Sequence, residues 1–439
     1  MLDSRAVRGS HDWGCGRLRV LLLAILVTIS AGSAGVARGA SGGVSGALPP
    51  GATSKQPSKS PPAHKARGGP LGVRGMWIWQ LSQSSGGNLT SIIDTAHAYG
   101  IGTLMIKSGD GSTAWSQFNP QLVAALHAGG LKVCAWQYVY GNQPIYEAEV
   151  GATAVQDGAD CLLIDAESEY EGKYVQAQEY VKKLRQLIGN NFPVGLAGFP
   201  YIDYHPGFPY SVFLGPGGAQ YNVPQMYWPD IGTTVDDVYS HTYAFNTVFG
   251  RPIEPLGEVA GNPAPGEVLR FRQMSRAYGA GGVSWWDWQE SSQRDWNAVG
   301  RPVGNLSGFA ADPSTPTLSV KGGGGIWAGD LVVWAQQHLY KALGPMTIDG
   351  SFASQTQTAV EQFQSAHGLP VTGMVDSGTW QALLRYQPVS VTWTTKRHRP
   401  VAVASRAAGS SRVLPVPASA RLPALRDEIP RDLGAGRPQ

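Results

Sequence analysis

Between residues 72 and 305, short apolar runs recur at regular spacing: 75–81, 103–108, 132–140, 161–165, 194–200, 222–228, 252–259 and 282–288. Continuous apolar runs of this length predict strands of a parallel sheet that is covered on both faces. Most stretches between them carry apolar residues at helical spacing, as in 89–99, 120–128 and 174–188. Eight strands alternating with helices predict an α/β fold, a (β/α)8 TIM barrel. An open doubly wound sheet is the competing arrangement. No GxGxxG or GxxxxGK[ST] follows the first strand, so nucleotide binding has no support.

A second pattern occupies residues 326–386. Helical spacing at 330–343, 354–367 and 377–384 is broken by the turns Thr347-Ile-Asp-Gly350 and Val371-Thr-Gly-Met-Val375. This predicts a small three-helix domain, near the lower size limit for an independent core. Residues 41–71 and 306–325 are rich in Gly, Ser, Pro, Thr and Ala. Such stretches bury too little surface to offset their ordering entropy and read as flexible linkers. Residues 387–439 read as a disordered tail. At the start, Arg5, Arg8, Arg17 and Arg19 precede the apolar run 20–29 and then the small residues of 31–40. That order reads as a signal peptide over 1–40 and predicts a secreted, cell-wall-associated protein. The apolar run is too short for an ordinary membrane span, although an uncleaved anchor is the alternative.

Composition adds little beyond this. A formal charge of +3 over 439 residues gives no reason to expect nucleic acid as a partner. The 14 Trp and 17 Tyr matter more, because aromatic faces stack on sugar rings, though they also fill cores. Of three cysteines, Cys15 would leave with the signal. Cys134 and Cys161 fall in neighbouring strands and can be either a disulfide or two buried thiols. No Cys/His cluster has zinc-ligand spacing. The chain is expected to act as a monomer, without metal or cofactor.

In a TIM barrel the working residues stand where strands end, at the C-terminal face. The fourth strand reads Cys161-Leu-Leu-Ile-Asp165-Ala-Glu167. Strand alternation puts Asp165 and Glu167 on one side, so both can point into the barrel mouth. Two carboxylates in a confined site repel, so one tends to keep a proton near neutral pH. A protonated carboxyl is what a leaving glycosidic oxygen needs. The plainer alternative is a pair of loop acids capping the next helix. The remaining strand ends are aromatic and polar: Trp77 and Trp79 on the first, Trp136, Gln137 and Tyr138 on the third, Gln225, Tyr227 and Trp228 on the sixth. The eighth carries Trp285, Trp286, Asp287 and Trp288. Tyr227, Trp286, Gln225, Trp77, Trp79 and Asp287 are the candidate substrate-binding residues, and part of the aromatic set is expected to plug the barrel. Glu258 and Asp287 are candidates for a further carboxylate, with Glu169 a weaker one.

The segment Gly158-Ala-Asp160-Cys-Leu-Leu-Ile-Asp165-Ala-Glu167, with Gln225-Met-Tyr227 and Gly281-Gly-Val-Ser-Trp-Trp286, resembles strands four, six and eight of chitinase-type glycoside hydrolase family 18. The resemblance implies that Glu167 is the general acid and that Asp165 orients the substrate N-acetyl group, whose oxygen attacks the anomeric carbon. It also implies that Tyr227 helps hold that group and that Trp286 floors the sugar site. The Asp-x-Glu pair is similar to that of lysozyme-type family 25 as well. The sequence departs from both patterns: Leu163 stands where family 18 usually has an Asp, and Gly75-Met-Trp-Ile-Trp-Gln80 lacks the first-strand Asp of family 25.

The C-terminal unit is similar throughout to the peptidoglycan-binding domain of type 1. The segments that carry this are Val333-Trp-Ala-Gln-Gln-His-Leu, Ile348-Asp-Gly-Ser-Phe352, Thr356-Gln-Thr-Ala-Val-Glu-Gln-Phe-Gln364, His367-Gly-Leu-Pro370 and Thr372-Gly-Met-Val-Asp-Ser-Gly-Thr-Trp380. Val360, Phe363, Leu369 and Trp380 read as its core. Together the resemblances imply an exported glycoside hydrolase that cuts peptidoglycan or another N-acetylhexosamine polymer. A non-catalytic barrel that grips peptidoglycan or a related glycan without cutting it is the alternative. An amidase or peptidase has no support, because no Ser/His/Asp arrangement or metal-ligand cluster stands out.

Overall fold

The computed structural model describes residues 69–311 and 314–394. The expected signal peptide, most of the first linker and the tail beyond 394 lie outside the described residues.

Eight parallel strands form the first layer: β1 (Arg74–Ile78), β2 (Thr103–Asp110), β3 (Lys132–Val139), β4 (Cys161–Ala166), β5 (Val194–Ala197), β6 (Tyr221–Asn222), β7 (Leu256–Glu258) and β8 (Val283–Trp286). Their spatial order is β6-β5-β4-β3-β2-β1-β8-β7. Parallel bridges Asn222–Ile253 and Gln225–Leu256 join the two ends of that path, so the sheet closes on itself. The long helices between strands are α1 (Leu89–Ala98), α2 (Pro120–Ala128), α3 (Pro144–Gln156), α4 (Tyr174–Ile188), α7 (Val235–Asn246), α8 (Pro265–Ala277) and α9 (Gln293–Gly300). Two single-turn helices, α5 (Tyr210–Phe213) and α6 (Trp228–Ile231), lie in the loops after β5 and β6. The architecture is the expected (β/α)8 barrel.

Strand alternation divides the apolar residues between two cores. Trp77, Met105, Cys134, Trp136, Cys161, Leu163, Ala197, Val223, Tyr227 and Leu256 pack together inside the barrel. Their neighbours Met76, Leu104, Val133, Leu162 and Leu196 belong to the larger core that includes the helices. Cys134 and Cys161 are register partners on β3 and β4, and they are bonded as a disulfide with Cα atoms 4.5 Å apart. Of the two states the spacing allowed, the structure has the bridge.

Two strands are shorter than the apolar runs predict. The run 222–228 keeps only Asn222 in β6, touches the sheet again at Gln225, and turns helical at Trp228. Pro224 has no N–H for the ladder, and Pro229 sits at the start of α6, where its fixed φ suits a helix. Pro252 and Pro255 likewise confine β7 to Leu256–Glu258.

The C-terminal module is built on α10 (Asp330–Leu343), α11 (Ser354–Ala366) and α12 (Ser377–Leu383). Val360, Phe363 and Trp380 are fully buried, while Leu369 is only partly so. One device is used twice. The Gln336 side-chain oxygen accepts the backbone N–H groups of Asp349 and Gly350, and Gln364 does the same for Thr372 and Gly373. Both glycines are left-handed, at φ 74° and 67°, which explains glycine at each turn.

Two stretches expected to lie outside the domains belong to the packed structure. In the second half of the 306–325 segment, Leu318 is buried and exchanges backbone hydrogen bonds with Val375, and the Trp380 indole N–H donates to the Pro316 carbonyl at 2.7 Å. At the start of the expected tail, Val391 and Trp393 are buried, and Trp393 packs on Tyr174 of α4 with ring centroids 4.5 Å apart. Composition hides both, because a single apolar residue among Ser, Thr and Gly can anchor a segment that a core already awaits.

The module is docked on the barrel. The buried Asp330 carboxylate accepts the Ser211 N–H at 2.7 Å and the Ser211 hydroxyl at 2.6 Å. The Trp334 indole N–H donates to the Val248 carbonyl at 2.7 Å, and its ring lies 5.1 Å from Phe249.

Candidate functional site

The chain stays extended beyond β4, with Glu167 at φ −129° and ψ −150°. The alternation therefore continues, and Cys161, Leu163, Asp165 and Glu167 form one inward column. The upper two members are joined by a neighbour across the barrel. The Gln225 side-chain nitrogen donates to Asp165 Oδ1 at 3.0 Å and to Glu167 Oε1 at 3.1 Å. One amide thus holds both carboxyls within a hydrogen bond of itself. All three side chains are buried. Burial, then the Glu167 charge, pushes the Asp165 carboxyl well above the usual carboxylate range, against an opposing pull from the Lys107 ammonium.

Tyrosines border the pair. Tyr227 is buried, and its phenol is pushed far up by burial and by Asp165, Glu258, Glu167 and Asp287. A phenol among four carboxyls keeps its proton and is a hydrogen-bond donor. Tyr138 is raised by burial and by Glu167, Asp165 and Glu169, and donates its hydroxyl to Glu169 Oε2 at 2.9 Å.

The wall beside them is a triangle of indoles. Ring centroids are 5.6 Å apart for Trp77 and Trp136, 5.5 Å for Trp136 and Trp286, and 6.1 Å for Trp77 and Trp286. Trp77 donates to the Ser284 hydroxyl at 3.0 Å and Trp136 to the Ile78 carbonyl at 3.0 Å, which fixes both ring planes. Trp286 stays half-buried, and the half-buried Trp79 packs against the same cluster. The buried Trp79 indole N–H has no hydrogen-bond partner among the described residues.

Glu258 faces inward two residues above Leu256 and is buried. Asp287 is buried too. Its Oδ1 accepts the Glu290 N–H at 3.2 Å, its Oδ2 has no partner among the described residues, and burial with the nearby Glu290 pushes it up to about 7. The Trp286–Asp287 peptide is cis.

Several strand-end residues stand elsewhere. Gln137 faces the helical layer, where it donates to the Gly111 and Glu147 carbonyls. Trp285 packs on Phe271, Trp288 on Trp296, and Trp228 on Phe271. Each is one residue out of phase with an inward position or lies beyond the strand. Lys107 is a site residue outside the strand-end set. It is buried, donates to Asp110 Oδ2 at 2.6 Å, and lies 4.4 Å above the Trp115 ring and 4.9 Å above Trp136. Its signal was a lysine two residues after Met105, in the inward phase of an otherwise apolar strand. Tyr140 holds the other Asp110 oxygen at 2.8 Å.

The arrangement gives a closely coupled carboxyl pair, a neutral phenol and a rigid aromatic wall. Such a group can donate a proton, accept an amide N–H and stack on a flat apolar ring face. Among the described residues no group of three or more His, Cys, Asp or Glu could hold a metal ion, and no helix is long and apolar enough to cross a membrane.

Residues 328–383 match the family described as "Putative peptidoglycan binding domain". No curated protein matches the sequence. Among solved structures, the barrel region is similar to the catalytic domain of a Pyrococcus furiosus chitinase, at 12% identity over 53% of this chain and 94% of that one, with a TM-score of 0.41. A Chromobacterium violaceum chitinase matches at 13% identity over 52% and 97%, with a TM-score of 0.38. The Bacillus megaterium spore cortex-lytic enzyme SleL matches at 9% identity over 53% and 75%, with a TM-score of 0.37.

Proposed function

We propose that this protein is a secreted cell-wall glycoside hydrolase that the C-terminal module holds on peptidoglycan. Its barrel would cut glycosidic bonds in peptidoglycan or a related N-acetylhexosamine polymer. The observation that carries this reading is the Gln225 amide, which bridges the buried Asp165 and Glu167 beside the indole wall. The pair holds one proton, kept on Asp165 in the resting state, and Glu167, further along the column, takes it over and delivers it to the leaving oxygen, which leaves Asp165 ionised. Asp165, deeper, accepts the N–H of the substrate acetamido group. The acetamido oxygen then attacks the anomeric carbon as the bond to the leaving oxygen breaks, and water later opens the cyclic intermediate. Tyr227 donates its hydroxyl to the acetamido group, and Trp286 supplies the stacking floor. Tethering by the module raises the local concentration of the polymer, so even a slow barrel is effective.

One observation favours a second reading, a barrel that grips glycan without cutting it. Leu163 occupies the position where the similar family carries an Asp, and it packs in the barrel interior. Release of reducing ends from purified peptidoglycan and from chitin oligomers, compared for the wild type and Glu167→Gln, separates the two. Release that is lost in the variant supports the hydrolase. Binding to peptidoglycan with no release by the wild type supports the grip alone.

A further inference from the structure

The ion pair of Lys107 and Asp110 stands in the barrel beside the carboxyl pair. Register joins Asp110 of β2 to Tyr138 of β3, and Tyr138 to Asp165 of β4, so these three share one row across the sheet. Lys107 starts one inward row lower, opposite Trp136, and its side chain reaches up to Asp110 Oδ2 at 2.6 Å. The ammonium therefore arrives at the row of Asp165.

The fold holds it there from several sides. The ammonium lies 4.4 Å from the Trp115 ring and 4.9 Å from the Trp136 ring, whose faces favour a cation. Asp110 Oδ1 accepts the Tyr140 hydroxyl at 2.8 Å. The loop that carries Tyr140 is clamped in turn, because the buried Glu147 carboxylate accepts the N–H groups of Tyr140, Gly141, Asn142 and Gln143. The Lys173 ammonium also donates to the Tyr140 carbonyl at 2.8 Å. The charged groups and phenols that face the Asp165–Glu167 pair are Lys107 and Asp110 from β2, Tyr138 from β3, Glu169 after β4, Tyr227 after β6, Glu258 from β7 and Asp287 from β8. Lys107 is the one cation in that set. Its pull on Asp165 outweighs the push of Asp110, whose side chain is 33% exposed and screened by water.

We propose that Lys107 is a positioning residue whose fixed ammonium offsets the negative charge left on Asp165 when the pair gives its proton to the leaving oxygen. The inference rests on the hydrolase reading above and deepens it. In that step the acetamido oxygen bonds to the anomeric carbon, the electron pair of the broken bond goes to the leaving oxygen, and the proton follows through Glu167. The carboxyl pair passes from one negative charge to two. Leu163 beneath Asp165 is apolar and gives the new charge no support. The ammonium is already in place when that charge forms, and a preplaced charge acts most strongly where water is excluded.

The test is the pH profile of reducing-end release by the full chain, with a carboxyl NMR titration of the same proteins in which Asp165→Asn identifies the Asp165 signal. Lys107→Met keeps the side-chain length and removes the charge. It should lower kcat about tenfold, raise both limbs of the kcat/KM profile by about one pH unit, and carry the Asp165 titration up with them. Asp110→Asn keeps the ammonium and removes its countercharge, so limbs and titration should move down. A packing role does not produce opposite movements. Asp110 is part-exposed, so its variant keeps the test open if the melting temperature shows that Lys107→Met does not fold. Limbs and titration that stay in place, or that move the same way in both variants, overturn the proposal, and so does an unchanged kcat in Lys107→Met. A wild type that releases nothing sinks the hydrolase reading. The carboxyl titration then decides on Lys107 alone, whose charge role stands if the Asp165 signal moves up in Lys107→Met and falls if it does not.

Discussion

Asp165 stands two residues above Leu163 on the inward face of β4, so its carboxyl rests on an apolar side chain of the barrel interior. Burial without a cation beneath it makes the charged form expensive, and the pKa rises. The sign for stability follows from linkage. The folded state keeps a proton that the unfolded chain releases above 3.8, so this residue's contribution falls as pH climbs from there toward the raised folded value. Asp165→Asn removes the titration. The variant is expected to be more stable than the wild type at neutral pH, by about 1–3 kcal/mol, with the gap closing in acid. Release of reducing ends should be lost. Thermal melts at pH 4 and pH 7 check the first statement, and equal shifts at both would contradict it.

Gln225 supplies the N–H shared by the two carboxyls, and that donor favours their charged forms. Replacing it with Leu leaves both without the donor, so both pKa values rise. The whole pH profile of kcat/KM should move to higher pH, in addition to a stability loss of about 1–3 kcal/mol. A profile that only falls in height, with its limbs in place, would make Gln225 a packing residue.

The pair was legible in the sequence because strand alternation depends on spacing alone, and nothing breaks the extended chain between Asp165 and Glu167. The same rule accounts for Gln137, since Trp136 and Tyr138 are the inward pair and the residue between them turns to α3 and α4. Gln225 was legible as polar and strand-terminal, but its bridge to β4 crosses the barrel and no local pattern encodes it. Lys107 follows Met105 by two residues in the inward phase of β2, but a lone cation in an apolar run carries no local mark of the indole and carboxylate it meets inside the barrel. The seam was invisible for a different reason. Asp330 and Ser211 are far apart in the chain, and each looks like an ordinary helix-start or loop residue. Segment 389–394 alternates Val, Val and Trp with polar residues, a strand-like period that low overall hydrophobicity concealed.

The disulfide joins β3 to β4 directly beneath the candidate site and closes a loop of 27 residues. A cross-link over a loop of this length is worth about 2–4 kcal/mol, chiefly through the unfolded chain. Cys134→Ala with Cys161→Ala should lose that much in denaturant titration. Because both sulfurs lie in the barrel interior at 0% exposure, reductant without denaturant should leave the native protein's melting temperature unchanged. A drop under those conditions would mean that the interior opens often enough for a thiol to enter.

Asp330 ties the module to the barrel through Ser211, with Tyr174 as a further donor. Burial outweighs those donors and pushes the carboxyl up to about 7. The linkage has the same sign as at Asp165. The docked state holds a proton that a released, solvated Asp330 gives up above 3.8, so docking is strongest in acid and weakens as pH rises through about 7. Asp330→Asn keeps a carboxamide oxygen for the Ser211 N–H and, through its amide, a donor for the Ser211 hydroxyl, while losing the titration. In limited proteolysis across pH 5 to 8, cleavage in the segment that joins barrel and module should accelerate with pH in the wild type and stay level in the variant. Trp334→Ala removes the indole bond to Val248 and should raise cleavage at every pH, separating loss of the seam from its titration. If wild-type cleavage shows no pH trend while Trp334→Ala is cut faster, the seam is held by packing and Asp330 adds no pH dependence to it.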